Sequence, residues 1–240
     1  MRIEITCRVK QVSLLDYRMQ VFSLIKESIR ISDYEYYEKL FIHNKNEMQD
    51  FSFSVYFVHF IPIEDNQIKL DKMIITISCA NLETFTHIFN GIRKLKVYKV
   101  GNQNWEQINF QLHQLPTIKK QKVLLSCKSP ILIENQQQKP LAPTDSTYNK
   151  EFNYYANLQV RNITGRNLLQ PLRFTPIRMK KVVVKFRHRH LENHKYIYLT
   201  GYSGQFQLEG HPDDLNILYS AGFGKRNAYF GLTQLVKEVE

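Results

Sequence analysis

Residues 2–10 alternate, with Ile3, Ile5, Cys7 and Val9 on one side and Arg2, Glu4, Thr6 and Arg8 on the other. This period of two is that of a half-buried strand. After Asp16, the positions Met19, Val21, Phe22, Ile25 and Ile29 form an apolar stripe, predicting a helix over 17–30 with Asp16 as its N-cap. A tyrosine-rich segment (Tyr34, Tyr36, Tyr37) then leads into Leu40-Phe41-Ile42-His43-Asn44-Lys45. Alternation returns at Phe51, Phe53, Val55 and Phe57, and the β-branched run 69–80 predicts the next strand. Asn81-Leu82-Glu83 opens a helix reaching Lys94, and 97–100 and 108–115 read as short strands. The resulting order β-α-β-β-α-β is that of a ferredoxin-like unit.

The second half repeats the order. Residues 122–126 form a strand, and Tyr148, Phe152, Tyr155, Ala156 and Gln159 recur at helical spacing. Residues 182–186 and 196–199 read as a hairpin, 205–208 as a further short strand, and 211–220 as a helix. Periodicity alone supports a generic α+β protein; the repeated order of elements reads as two tandem ferredoxin-like (RRM-like, βαββαβ) domains, joined near 116–121 and divided as 1–118 and 119–240.

Composition narrows the partners. With 43% hydrophobic and 12% aromatic residues, the 240-residue chain can fill one or two cores. A formal net charge of +11 selects a polyanion, either nucleic acid or an anionic membrane surface. No apolar run has membrane-spanning length, no basic amphipathic helix stands out, and the first residues do not read as a signal peptide. Nucleic acid without a membrane, in the cytoplasm, is the expectation. Cys7, Cys79 and Cys127 lie far apart in strand-like contexts and are expected to be reduced core residues.

Residues 219–233 hold three of the nine glycines. Upstream, His211-Pro212-Asp213-Asp214 starts a helix whose buried face is Leu215, Leu218 and Tyr219, and Gly222 ends it. Gly224, Lys225 and Arg226 follow, then an apolar run over 228–236 that reads as a final strand. Backbone N–H groups beside two cations suit a polyanion. The order helix, glycines, strand excludes a P-loop and a dinucleotide-binding turn, both of which follow a strand. Taken alone, the loop reads equally well as a flexible turn.

The sequence Gly222-Phe223-Gly224, an interval with Lys225 and Arg226, then Gly231-Leu232 with Thr233 in place of a last glycine, resembles the C-terminal glycine-rich loop of one family. These are the CRISPR-associated endoribonucleases of the RAMP superfamily, which cut precursor CRISPR RNA within its repeats. The resemblance implies the same double ferredoxin-like fold, and RNA contacts at Gly222, Gly224, Lys225 and Arg226. Leu40-Phe41-Ile42-His43 ahead of Phe51-Ser52-Phe53-Ser54 also resembles the family, which carries a histidine before an aromatic-serine strand. On spacing alone His43 is a surface histidine in a loop. The resemblance instead implies metal-independent cleavage by the ribose 2′-OH, leaving a 2′,3′-cyclic phosphate and a 5′-OH, with no cofactor. His43 then transfers the proton, since imidazole titrates near neutrality. Lys45 is the candidate for stabilising phosphoryl charge, and Tyr37, among the three nearby tyrosines, for donating a hydrogen bond. The implied partners are CRISPR repeat RNA and other CRISPR effector subunits, with the chain a monomer or homodimer.

A second basic feature lies at 173–195, where eight Lys and Arg face a single acid, Glu192. Alternation puts Lys181, Lys185, Arg187 and Arg189 on one face of a strand, suited to phosphates. His188, His190 and His194 lack the accompanying ligands of a zinc site, so no metal is expected. Two other readings stand beside the nuclease: a non-catalytic RNA-binding RAMP subunit, and an RRM-like protein. The second requires an RNP1-like run, which the sequence lacks.

Overall fold

The structure, a computed structural model, describes residues 1–44, 47–187 and 196–239. Its first half comprises β1 (Arg2–Arg8), β2 (Gln11–Ser13), α1 (Tyr17–Ser32), α2 (Tyr34–Glu38), β3 (Phe51–Val58), β4 (Ile61–Ile63), β5 (Gln67–Lys69), β6 (Lys72–Cys79), α3 (Leu82–Lys94), β7 (Val97–Val100) and β8 (Gln103–His113). Five strands form an antiparallel sheet in the order β3-β6-β1-β8-β7. Alternation in β1 turns Ile3, Ile5 and Cys7 to one side, where they bury against Ile25 and Ile29 of α1 and Ile88 and Ile92 of α3. The short strands β2, β5 and β4 build a separate three-stranded sheet.

The second half comprises β9 (Lys122–Cys127), α4 (Tyr148–Thr164), β10 (Arg173–Arg187), β11 (Tyr196–Glu209), α5 (Pro212–Ala221) and β12 (Thr233–Val239). Its sheet runs β10-β11-β9-β12, so each half sets its first strand between its third and last, in the ferredoxin-like manner. Val123, Leu125, Phe206 and Leu208 pack against Tyr148, Phe152 and Ala156 of α4 and Leu215 and Leu218 of α5. The chain is two tandem ferredoxin-like folds. Ile118 belongs to the second core, and its backbone exchanges hydrogen bonds of 2.8 Å with the Asn216 side chain of α5.

Three expectations change. Asp16 precedes α1 without a side-chain cap, and its carboxylate instead accepts from the Ser13 hydroxyl at 2.8 Å. Residues 196–199 and 205–208 belong to one long strand, because β11 runs straight through Gly201 and Gly204, which interrupt its apolar pattern. The final strand begins at Thr233, not at 228. Ala228, Phe230 and Leu232 are apolar because a folded loop buries them. No helix among the described residues is long and apolar enough to cross a membrane.

Candidate functional site at the domain seam

The glycine loop is held from both domains. His211 caps α5, its Nδ1 accepting from the Asp213 N–H, and Gly222 ends the helix at φ +93°. Asn227 is buried, with its Nδ2 within hydrogen-bonding distance of the carbonyls of Gln49 (2.5 Å), Phe51 (3.1 Å) and Ala221 (3.2 Å). Arg18 of α1 donates to the Tyr229 carbonyl at 2.7 Å and lies 4.7 Å from the Phe230 ring centroid. Arg2 donates to the Thr233 carbonyl at 2.8 Å. Burial pulls both guanidinium pKa values down, yet each keeps a carbonyl acceptor and an aromatic face. The Tyr229 ring completes the seam, 4.6 Å from Phe22 and 6.2 Å from Phe53.

Four N–H groups of the loop are already engaged within the protein. The Gly222 N–H donates to Leu218, that of Phe223 to Gly231, that of Lys225 to Leu132 and that of Gly231 to Pro130. Gly222 and Gly224 are buried and shape the loop's path. Lys225 is also engaged, its Nζ 2.6 Å from Glu134 Oε2. Arg226 alone of the two cations is exposed, on left-handed backbone at φ +58°. Arg226→Ala is therefore expected to weaken polyanion binding and leave the melting temperature unchanged. Lys225→Ala is expected to lower stability by about 1–3 kcal/mol, because it strands a nearly buried Glu134. Thermal melts beside binding curves for the two variants check both outcomes.

His43 closes a single π-helical turn, Lys39–His43, and is solvent-exposed. The segment carrying it is clamped at both ends by one hydroxyl. Thr84, in the first turn of α3, donates from its Oγ1 to Asp50 Oδ2 at 2.5 Å, and the same oxygen lies 2.6 Å from the Tyr36 hydroxyl. The far stem is held from the second domain as well, by Asn162 of α4 on the Met48 carbonyl (2.7 Å) and by Asn227 on Gln49 and Phe51. Asn44 and Asn162 line a small cavity of about 150 Å³ at this junction. Tyr37 is half-buried in α2, its ring 6.1 Å from that of Tyr34 and 5.5 Å from that of Phe41. Lys45 lies outside the described residues.

Burial pushes the Asp50 carboxyl up to about 6, against the Thr84 hydrogen bond, which favours the anion; Tyr36, Cys79 and Glu83 are titratable neighbours. A carboxyl raised in the folded state binds its proton more tightly than in the unfolded chain. Its contribution to stability is therefore greatest below pH 4 and is lost as pH rises through 6. The displacement from 3.8 to about 6 corresponds to about 3 kcal/mol. The difference in unfolding free energy, parent minus Asp50→Asn, is expected to fall by up to that amount between pH 4 and pH 7, as denaturant titrations at several pH values will test.

The basic strand pairs into a long ribbon that extends past β9. Lys181 lies opposite Tyr202, Lys185 opposite Tyr198 and Arg187 opposite Tyr196. Lys181 is exposed, and the Lys185 ammonium sits 3.9 Å from the Tyr196 ring centroid and 5.8 Å from that of Tyr198. Tyr198 is 64% exposed. On the opposite face Val184, Phe186, Ile197 and Leu199 pack with Leu132 and Phe230 of the glycine-loop region. One ribbon thus braces the loop with its apolar face and shows lysine and tyrosine outward. Arg189 and the three histidines of 188–194 lie outside the described residues.

The pattern of the sequence missed Arg2, Arg18 and Asn227, because buried polar residues that join domains leave no periodicity. Tyr196 and Tyr198 were legible as strand residues, but their place beside Lys185 depends on a register the sequence does not specify. Trp105 and Tyr148 are buried in the first and second cores.

Residues 113–235, just over half of the chain, match the family model described as CRISPR associated protein Cas6, C-terminal. No curated protein matches the chain in sequence. Among solved structures, the fold is similar to that of a Cas6-related gene product from Pyrococcus furiosus, with a TM-score of 0.82 and 22% identity over 100% of this chain and 99% of that one. An RAMP protein binding different RNA substrates is similar at a TM-score of 0.79 and 17% identity, over 99% and 100% of the two chains. A CRISPR associated protein Cas6 follows at 0.72 and 20%, over 99% of each. At these identities the likeness carries the fold.

Proposed function

The chain belongs to the Cas6 family of CRISPR-associated proteins, and on that premise we propose that it binds CRISPR repeat RNA and cuts it once, without a metal ion. In this reaction the ribose 2′-oxygen forms a bond to the adjacent phosphorus and the bond to the 5′-oxygen breaks, giving a 2′,3′-cyclic phosphate and a 5′-OH. One proton leaves the 2′-OH and one reaches the departing 5′-oxygen. His43 carries one of these transfers, because a neutral imidazole accepts and an imidazolium donates near neutral pH. Tyr37 or Lys45 serves the phosphate, the tyrosine by hydrogen bonding and the lysine by charge.

The observation that supports this reading most is the anchoring of the His43 segment. An exposed histidine would ordinarily sit on a loose surface loop. Here both stems are clamped to Thr84, and the far stem is tied to α4 and to the glycine loop. Such anchoring costs conformational entropy and suits a side chain that must meet a substrate in one geometry. RNA is held by the outward cations Lys181, Lys185 and Arg226, with Arg187 and Arg189 as further candidates from the basic stretch of the sequence, and Tyr198 offers an exposed ring for an unpaired base.

Incubation of the purified protein with repeat RNA in excess EDTA tests the reading. The expected result is a single cut with a cyclic phosphate on the upstream product. Activity lost in EDTA and restored by a divalent ion would overturn the mechanism. Tight binding without cleavage under any condition would favour the non-catalytic RAMP reading.

A further inference from the structure

A groove of about 570 Å³ runs between the outer face of α1 and the β7–β8 hairpin, and Tyr229 of the glycine loop lines it as well. We propose that this groove holds an unpaired nucleotide of the bound RNA, its two flanking phosphates on Lys26 and Lys99, one on each, and its base against Tyr98 or Tyr229. The proposal rests on the RNA-binding reading and adds a subsite to it.

Size is the first argument, since the volume lies within the range of about 300–1,000 Å³ typical of pockets for small organic ligands. Charge is the second. Among the described residues, the lining includes Lys26 and Lys99 and no carboxylate. The Lys26 ammonium sits over ring faces, 4.9 Å from the Phe41 centroid and 5.5 Å from that of Tyr37. Rings position a cation without cancelling its charge. Lys99 is exposed near the tip of the hairpin. Aromatic surface is the third argument. Tyr98 packs edge-on against the buried Trp105, with centroids 6.0 Å apart, and Tyr229 is fixed by Phe22 and by the Arg18 bond to its carbonyl. Both rings are half-buried and already ordered, so a base stacking there loses little to reorganisation. Gln20 on the same wall adds an amide able to meet a base edge.

Position is the fourth argument. Phe41 and Tyr37, the rings beneath Lys26, belong to the segment that ends in His43. A strand seated in the groove would therefore continue toward the candidate catalytic histidine. The nucleotide must be unpaired, since a base in a duplex keeps its faces stacked on its neighbours.

The test uses single-stranded repeat RNA carrying 4-thiouridine, crosslinked to the intact protein and mapped by mass spectrometry. Crosslinks are expected within peptides containing Tyr98 or Tyr229, and a fully paired RNA duplex should not compete for them. In parallel, Lys26→Ala/Lys99→Ala should lower the slope of log K against log salt by about 1.4, at roughly 0.7 per phosphate contact on a single strand. Lys99→Ala alone, at an exposed position, should give about half of that and melt like the parent. An unchanged slope in the double variant, with crosslinks confined to other peptides, overturns the subsite while the RNA-binding reading stands. Failure of the parent to bind RNA at all overturns both. Crosslinks displaced by an acidic peptide but not by unlabelled single-stranded RNA would assign the groove to a protein partner instead.

Discussion

His43→Ala is expected to lower the rate of RNA cleavage by at least about 100-fold, while RNA affinity changes only a few-fold. The asymmetry follows from the role proposed for the residue. A proton transferred in the transition state contributes little to the ground-state complex, so its loss falls on the chemical step. The cations proposed to hold the RNA backbone are other residues, Lys181 and Lys185 of β10, Arg226, Lys26 and Lys99. His43 is exposed, so the substitution opens no cavity and the variant should melt like the parent. Single-turnover cleavage beside equilibrium binding separates the two quantities. Equal losses in both would make His43 a binding residue, and unchanged cleavage would remove it from the site.

The second large effect is on folding. Gly231→Ala is expected to destabilise the protein by about 3 kcal/mol or more, because two costs combine. Gly231 sits at φ +76°, where a side chain is strained by about 1–3 kcal/mol. A Cβ built there would lie 1.9 Å from the Phe223 carbonyl oxygen, so the loop must open. Opening breaks the Phe223 N–H bond to the Gly231 carbonyl and lifts Phe230 from Leu132 and Phe186. Gly224→Val meets the same kind of obstacle, with φ at +84° and the Leu132 carbonyl oxygen 2.5 Å from the added carbon. Denaturant titration of each variant against the parent measures the loss. A Gly231→Ala protein as stable as the parent would mean that the loop is not the staple between domains described above.

The two halves of the fold were legible because their strands set apolar residues on one face and polar ones on the other. Ile3, Ile5 and Cys7 of β1, and Phe51 and Phe53 of β3, each turn one face to a core and so print a period of two. The capped starts at Asn81 and His211 were equally local signals, each a single side chain accepting from the following N–H groups. The site was less legible because its organisation is non-local. Asn227 reads as an ordinary loop residue until Gln49 and Phe51, from the other domain, are brought beneath it. Lys225 reads as a free cation until Glu134 meets it across 91 positions of chain. Thr84 is an unremarked helix residue in sequence, yet its hydroxyl joins Tyr36 and Asp50 on either side of His43.

The central claim is that the substrate's own 2′-hydroxyl makes the cut. Once the cleavage position in a repeat RNA has been mapped, the same RNA with a single 2′-deoxy substitution at the nucleotide upstream of that bond tests it most directly. The account predicts that this RNA binds with unchanged affinity and is not cut at that bond. Cleavage of the deoxy substrate at the parent rate would contradict the account, because the nucleophile would have to be something other than the ribose.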